Sequence, residues 1–399
     1  MKTAGIVAEF NPFHSGHAAL IQAVRGEGAT HVAAVMSGNF VQRGSLAITD
    51  KRVRAHCALL GGADLVLELP VPAATATAQQ FARGAVGLLA ATGCVDILCF
   101  GSESGDARGL SELARALDAR QVAAAMTPLL GQGLTFARAR QLAVEQELGP
   151  RLGRQLGRPN NALGVEYLRA AHSLGWQPRI FTMARRGAAH DEAFPAPGGS
   201  YASASYLRTV AGDWDKLARF MPEDSVSLLR RAGADGLYPV DPARLETAVL
   251  AVLRGLSPEA LAALPDLSEG LENRLWNAIR GSASLEELYA KCKTKRYTLA
   301  RVRRLVLHAF LGITGEDVRT PPPYLRVLGF GPRGRELLAR MADTATLPVG
   351  SRLTRLREAG PEACRFAILE ERSTDLYTLA MPVPRPCGYE LRAGGVYLG

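Results

Sequence analysis

Cysteine is scarce in this chain of 399 residues: the six present (Cys57, Cys94, Cys99, Cys292, Cys364 and Cys387) are scattered with no CxxC spacing. That excludes a disulfide framework, and reduced thiols in a cytosolic protein are the simplest account. A long apolar run is missing as well. The most apolar window, residues 85–100, is interrupted by Asp96 and two glycines, so it is not a membrane span. The opening Met1-Lys2-Thr3 leads into an apolar stretch that Glu9 stops, too short for a signal-peptide core. The expectation is a cytoplasmic protein with no membrane partner. No internal repeat and no low-complexity tract occurs. An apolar content of 47% against 21% charged describes a folded chain, long enough for two domains.

Charge is present and unevenly placed. The formal net charge is +9, and residues 291–340 carry twelve Lys/Arg against Glu316, Asp317 and Glu336, so that window accounts for the whole excess. Such clustering suggests a polyanionic partner; a solvated basic face is the plainer reading.

The most informative stretch opens the chain: Ala4-Gly5-Ile6-Val7-Ala8-Glu9-Phe10-Asn11-Pro12-Phe13-His14-Ser15-Gly16-His17. The short apolar run suits a strand buried on both faces. Asn11-Pro12 initiates a turn, and the stretch from His17 reads as a helix with Leu20, Ile21 and Val24 on one face. HxGH therefore falls at a helix N-terminus beside the carboxyl end of a first strand. Open α/β sheets bind ligands there, and helix N-termini favour phosphate. Gly16, without a Cβ, allows a close approach. A metal pair and an incidental turn are the competing readings. No HExxH surrounds the histidines and no cysteine lies near them in sequence, which weighs against metal.

Strands and helices then alternate through residue 210. Strands are expected at residues 30–37, 65–67, 97–100 and 179–183, and helices at 51–60, capped by Asp50, and at 77–92. Residues 110–174 read as helical with a break at 157–161, and residues 187–200 as a Gly/Ala/Pro loop. A boundary is placed after Val210, giving an α/β unit with a parallel sheet over 1–210 and a mainly helical unit over 211–399. The second unit ends in a small α/β element around the strand-like 325–330. Gly329-Phe330-Gly331-Pro332-Arg333-Gly334 matches GxGxxG, but no acidic residue follows at the required distance, so a turn is expected.

Four further polar places border the expected crevice. Residues 37–44 follow the second strand and offer Gln42 and Arg43. Lys51 and Arg52 open the next helix within reach of phosphates or solvent. Gly101 ends the fourth strand, where a ring can lie against backbone. Ser203, Ser205 and Arg208 stand at a late helix start, another anion-friendly position. In the expected helix from Tyr297 to Phe310, Tyr297, Arg301, Arg304 and His308 share one face, suited to phosphates or a stacked base. Leu299, Val302, Val306 and Phe310 occupy the core side.

HxGH after a first strand, paired with Ser203, Ser205 and Arg208, resembles the nucleotidyltransferase superfamily, whose second motif reads like ISSTxIR. Ala204 replaces its second serine. More narrowly, AEFNPFHSGH, SGNFVQRG, ADLVLELP, FGSES, PNNALGVEYL and KRYTLARVRR, in this order over about residues 3–330, resemble the bacterial tRNA(Met) cytidine acetate ligases. The last seventy residues carry no part of the likeness.

That resemblance implies a Rossmann-like fold and an enzyme that activates acetate with ATP, with Mg²⁺ expected to bridge the phosphates. The acetyl-adenylate would then acetylate N4 of the wobble cytidine of elongator tRNA(Met). It implies an ATP site at Val7, Ala8, Glu9, Phe10, Asn11, Pro12, Phe13, His14, Ser15, Gly16, His17, Ala18, Ala19 and Leu20, with Gly101, Asn161 and Arg186 as further nucleotide contacts. Asn160 is the adjacent alternative to Asn161. His14 and His17 are the expected catalytic donors, with Ser203 and Arg208 on the phosphates. Lys293, Lys295, Arg296, Arg301 and Arg304 are the expected RNA contacts. The turn at 37–39 is the expected acetate pocket, and no dedicated metal cage is expected. A transferase moving AMP or CMP onto a small phosphate acceptor explains HxGH equally well but leaves the basic window unused.

Overall fold

The computed structural model describes residues 1–184, 201–267, 270–294 and 296–399. The opening apolar run forms β1 (Thr3–Ala8), buried along nearly its whole length. Asn11 and Pro12 make the turn, His14 caps the helix Ser15–Gly26, and β2 (His31–Ser37) follows. A small hairpin, β3 (Phe40–Val41) and β4 (Ser45–Leu46), precedes the Asp50-capped helix Lys51–Leu60 and β5 (Leu65–Leu69). The helix Ala78–Ala91 leads to β6 (Ile97–Ser102), and five helices ending in Pro159–Ser173 lead to β7 (Arg179–Ala184).

β5, β2, β1, β6 and β7 lie side by side in that order, all parallel. The chain winds from β1 towards β5, then crosses to β6, so the order reverses between β1 and β6. Ligands bind at such a reversal, outside the carboxyl ends of the strands. Ile6 pairs with Cys99, which lets Ala8 and Gly101 leave the sheet as neighbours. One face is covered by the Ser15–Gly26 and Lys51–Leu60 helices around Ile6, Ile21, Val32 and Ala58. The other is covered by the Ala78–Ala91 and Pro159–Ser173 helices around Val7, Leu67, Phe81 and Leu168. Gly5 sits where a Cβ would come within 2.9 Å of Leu89 and Val95.

The helices after residue 210 build a core of their own around Leu253, Leu275, Ile279 and Leu305. The sheet, however, does not stop at the boundary expected after Val210. β8 (Leu325–Phe330) pairs antiparallel with β5, and β9 (Val349–Gly350) and β10 (Val396–Tyr397) pair with β8. The open edge of β5 thus gains a cover from more than 250 residues downstream, which protects its unpaired amides. The glycines of the GxGxxG match serve this joint. A Cβ on Gly329 would lie 2.6 Å from the Val396 carbonyl, and one on Gly334 would lie 2.0 Å from the Asp64 carbonyl.

Lys51 and Arg52 do not face phosphates or solvent. The Lys51 ammonium is wholly buried, 3.0 Å from Glu390, 3.4 Å from Glu370 and also bonded to Glu68. Arg52 reaches the Glu390 carbonyl, and Arg326 of β8 bonds Glu68 and Glu390. Glu370 and Glu390 belong to the C-terminal helices Pro361–Thr378 and Tyr389–Arg392. This ionic joint fastens the last forty or so residues beneath β2 and β5.

Candidate active site

Two imidazoles and a glycine build the helix start. His14 Nδ1 accepts the Gly16 N–H at 3.1 Å, and His17 Nδ1 accepts the His14 N–H at 3.2 Å, a reciprocal capping box made of histidines. Because each Nδ1 acts as acceptor, each neutral ring carries its proton on Nε2, on the side away from the cap. The rings stack with centroids 3.7 Å apart. Gly16 is required by this arrangement: a Cβ there would stand 3.0 Å from the His14 ring. Phe10 supports the stack from below, its ring 5.0 Å from His17 and 5.1 Å from Phe13. Phe10 holds a φ of 45°, a left-handed conformation that costs a residue with a Cβ and is retained where surroundings enforce it.

The carboxyl ends of β1, β6 and β7 open into a cavity of about 740 Å³. His14, Gly16, His17, Arg43, Ser203, Ser205 and Arg208 form its polar side. Val7, Phe81, Phe100, Leu163 and Tyr167 form an apolar side between the two helices on the opposite face of the sheet. Ser203 caps the Ala204–Thr209 helix, and Arg208 turns back to donate to the Asn11 carbonyl at 2.8 Å and to Ser205 Oγ at 3.1 Å. Burial, and then the nearby Arg43, hold the Arg208 guanidinium below its ordinary pKa against the pull of Glu9. Among the described residues no carboxylate pairs with it. A half-buried guanidinium held only by neutral oxygens is suited to an incoming anion.

Of the expected nucleotide contacts, Val7, Ala8, Glu9, Phe10, Asn11, His14, Gly16, His17, Leu20, Gly101, Ser203 and Arg208 line this cavity. Pro12, Phe13, Ser15, Ala18 and Ala19 do not; they shape the turn and the outer side of the helix. Asn161 is also absent from the wall. It is completely buried and its Oδ1 accepts the Glu103 and Ser104 N–H groups. Asn160 lines the cavity instead. The Glu103 carboxylate in turn accepts the Asn160 and Asn161 N–H groups at the start of the Pro159–Ser173 helix. Burial raises its pKa, but these bonds outweigh burial and leave it below the usual carboxylate range. Arg186 lies outside the described residues, as does Lys295. Phe81, Tyr167 and Tyr201 are wall residues that spacing alone did not reveal; Phe81 and Tyr167 reach the cavity from separate helices.

The turn at 37–39, the expected acetate pocket, does not line this cavity. Ser37 and Asn39 are buried behind the cavity wall, the Ser37 and Gly38 carbonyls accept from Arg54, and Asn39 Nδ2 donates to Thr374 Oγ1. The expected basic face is also corrected. In the helix Leu299–Leu311, Arg304 is buried and pairs with Asp266 at 2.9 Å, while Arg301 donates to the Asp266 carbonyl. His308 is buried against Thr75, and burial pushes its pKa down to about 4, assisted by Arg304. Lys293, Arg296 and Arg303 remain on the surface. Gly44, with a φ of 71°, seats the β3–β4 turn directly on this helix, where a Cβ would lie 2.6 Å from the Arg304 nitrogen. The basic surface therefore adjoins the hairpin that carries Gln42 and Arg43 into the cavity.

A parallel sheet with a histidine-capped helix at its reversal point defines a nucleotidyl transferase of the HIGH class, and the HIGH Nucleotidyl Transferase family model matches residues 1–388. A tRNA(Met) cytidine acetate ligase of Syntrophomonas wolfei is 37% identical over 96% of this chain and 96% of its own length. One from Caldanaerobacter subterraneus is 37% identical over 95% of this chain and 96% of its own. The crystal structure of Thermotoga maritima TmcAL without ligand superposes with a TM-score of 0.94 at 32% identity, covering all of both chains. The form of that protein bound with alpha-thio ATP gives 0.93 at the same identity. The chain belongs to the tRNA(Met) cytidine acetate ligase family, within the HIGH nucleotidyl transferases.

Proposed function

We propose that this protein activates acetate with ATP and transfers the acetyl group to N4 of the wobble cytidine of elongator tRNA(Met). The observation that carries the reading is the pair of stacked imidazoles, each with its proton fixed on Nε2, beside Arg208 in a cavity at the reversal point of the sheet. An acetate oxygen attacks the α-phosphorus, the bond to the bridging oxygen breaks, and pyrophosphate departs. Negative charge builds on the phosphoryl oxygens and on the leaving group. Donors oriented beforehand lower such a barrier, since nothing need reorganise as the charge develops. His14 and His17 supply N–H groups and Arg208 supplies fixed charge; Ser203 and Ser205 stand at the first-serine and threonine positions of the ISSTxIR-type pattern.

ATP enters as its magnesium complex. A Mg²⁺ accompanying ATP would be held by phosphate oxygens and water; among the described residues no group of three His, Cys, Asp or Glu is placed to hold an ion. Asn160 rather than Asn161 contacts the nucleotide beside Gly101. The RNA lies along Lys293, Arg296 and Arg303, and its unpaired cytidine enters over the β3–β4 hairpin. A base in a single-stranded loop is the one most cheaply drawn from its stack. No helix among the described residues is long and apolar enough to cross a membrane, and a tRNA substrate places the work in the cytoplasm.

Mass spectrometry of elongator tRNA(Met) nucleosides, after incubation with ATP and labelled acetate, tests the reading. Label in N4-acetylcytidine is expected, together with acetate-dependent exchange of pyrophosphate into ATP. Exchange that ignores acetate and requires a phosphorylated metabolite would instead favour a small-molecule nucleotidyltransferase.

A further inference from the structure

A triphosphate site repels carboxylates, yet one carboxylate lines this cavity among the described residues: Glu9. It is held in place from both ends. Its carbonyl accepts from Arg54 Nη1 at 2.5 Å, and its Oε1 accepts the Gln42 N–H at 2.9 Å. The left-handed Phe10 that follows fixes where the backbone turns away. No ion pair neutralises it among the described residues, although the charge of Arg208 responds to it on one side and the phenol of Tyr167 on the other. Glu9 therefore stands between the phosphate side of the cavity and its apolar side.

Transfer to a cytosine amine releases a proton, and among the described residues the neighbouring polar side chains are already committed. His14 and His17 already use Nδ1 as acceptor and hold a proton on Nε2. Arg43 and Arg208 have no acceptor at all. Asn11 Oδ1 accepts from the Ile48 N–H, and Ser203 Oγ accepts from the Tyr206 N–H.

We propose that Glu9 is the proton acceptor of the transfer half-reaction, receiving the proton that N4 loses as it forms the amide. This rests on the acetate reading above. The N4 lone pair forms a bond to the acetyl carbon, the bond from that carbon to the phosphate oxygen breaks, and AMP leaves with that electron pair. One N4 proton passes to the Glu9 carboxylate and from there to water, so atoms and charge balance without a further reactant. A positioned base of this kind contributes a factor of about 10²–10⁴.

The test separates the half-reactions. Glu9→Gln keeps an acceptor for the Gln42 N–H, and because Glu9 lines the nucleotide cavity acetate-dependent pyrophosphate exchange is expected to fall, but by a factor at least about tenfold smaller than the loss in transfer. Single-turnover acetyl transfer from acetyl-adenylate to tRNA is expected to fall by about 10²–10⁴. Glu9→Asp keeps the charge on a shorter arm and is expected to transfer at least about tenfold faster than Glu9→Gln. Equal losses in both half-reactions would overturn the proposal in favour of a magnesium or acetate contact, and unchanged transfer in Glu9→Gln, or equal transfer by the two variants, would also overturn it. Wild-type protein lacking acetate-dependent exchange would instead sink the acetate reading, a failure visible before any variant is made.

Discussion

Arg208 acts at the scale of a single side chain. Its two anchors are neutral, the Asn11 carbonyl and Ser205 Oγ, so its charge is preserved for a ligand while its direction is fixed. Loss of one preorganised donor costs about 10²–10³ in rate. Arg208→Ala is therefore expected to lower acetate-dependent pyrophosphate exchange by that factor at saturating ATP, while Arg208→Lys recovers part of it. A loss below tenfold in the alanine variant would remove Arg208 from the phosphate site. His308 illustrates the opposite economy, a ring kept neutral inside the fold. Burial and Arg304 place its pKa at about 4, below the ordinary 6.5 of an unfolded chain. The unfolded state thus binds more protons between those values, and stability must rise with pH across that window. The contribution is complete above about pH 6.5 and is lost as pH falls towards 4. Relative to His308→Gln, the wild type is expected to lose about 2–3 kcal/mol between pH 7 and pH 4.5. Urea unfolding of both proteins at the two pH values measures it, and a pH-independent difference would contradict the neutral assignment.

Individual elements show what the sequence could and could not announce. β1, the HxGH turn and the following helix were legible because apolar run, breaker and periodic stretch are consecutive, so local chemistry decides them. Gly101, Ser203 and Arg208 were legible for the same reason, each standing at the end of a short element. The Leu299–Leu311 helix was located correctly but its polar face was misread. Arg304 and His308 look solvent-facing by periodicity, yet Asp266 and Thr75 arrive from distant segments to cover them. Likewise the placing of Asn160 rather than Asn161 on the cavity wall goes with Glu103 from a distant strand end, whose carboxylate accepts both backbone N–H groups and Asn160 Nδ2. What remains exposed near that helix is Lys293, Arg296 and Arg303. If each phosphate contact releases about one counter-ion, Lys293→Ala combined with Arg303→Ala should reduce the slope of log K against log salt for tRNA binding by about 1–2. Pyrophosphate exchange without tRNA should be unchanged. An unaltered slope would move the RNA to another face.

At the scale of the whole molecule, the first and last parts of the chain are one structure. β8 completes the sheet, and the Lys51 ammonium lies among carboxylates supplied by β5 and by the two C-terminal helices. Nothing local in the sequence announces this, since Lys51 and Glu390 are joined across 339 positions. Lys51, Arg52 and Arg326 face Asp50, Glu68 and Glu390, three charges of each sign, with the Glu370 carboxyl beside Lys51. Its members are unequal. Burial, and then the charge of Glu68, push the Glu370 carboxyl up to about 8 against the pull of Lys51. Burial also opposes charge on Glu390, but Arg326, Lys51 and Arg52 outweigh it and hold that carboxyl well below the usual range. Removing Lys51 leaves buried negative charge uncompensated, which typically costs 3–5 kcal/mol, roughly, on the scale of broken buried pairs. Removing the charge of Glu370 deletes one that the fold already resists. Lys51→Met is therefore expected to lower unfolding free energy in urea at pH 7 by about 3–5 kcal/mol, and Glu370→Gln by much less. Equal destabilisation by the two variants would show that Glu370 is as firmly ionised as Glu390, contrary to the raised position its burial gives it.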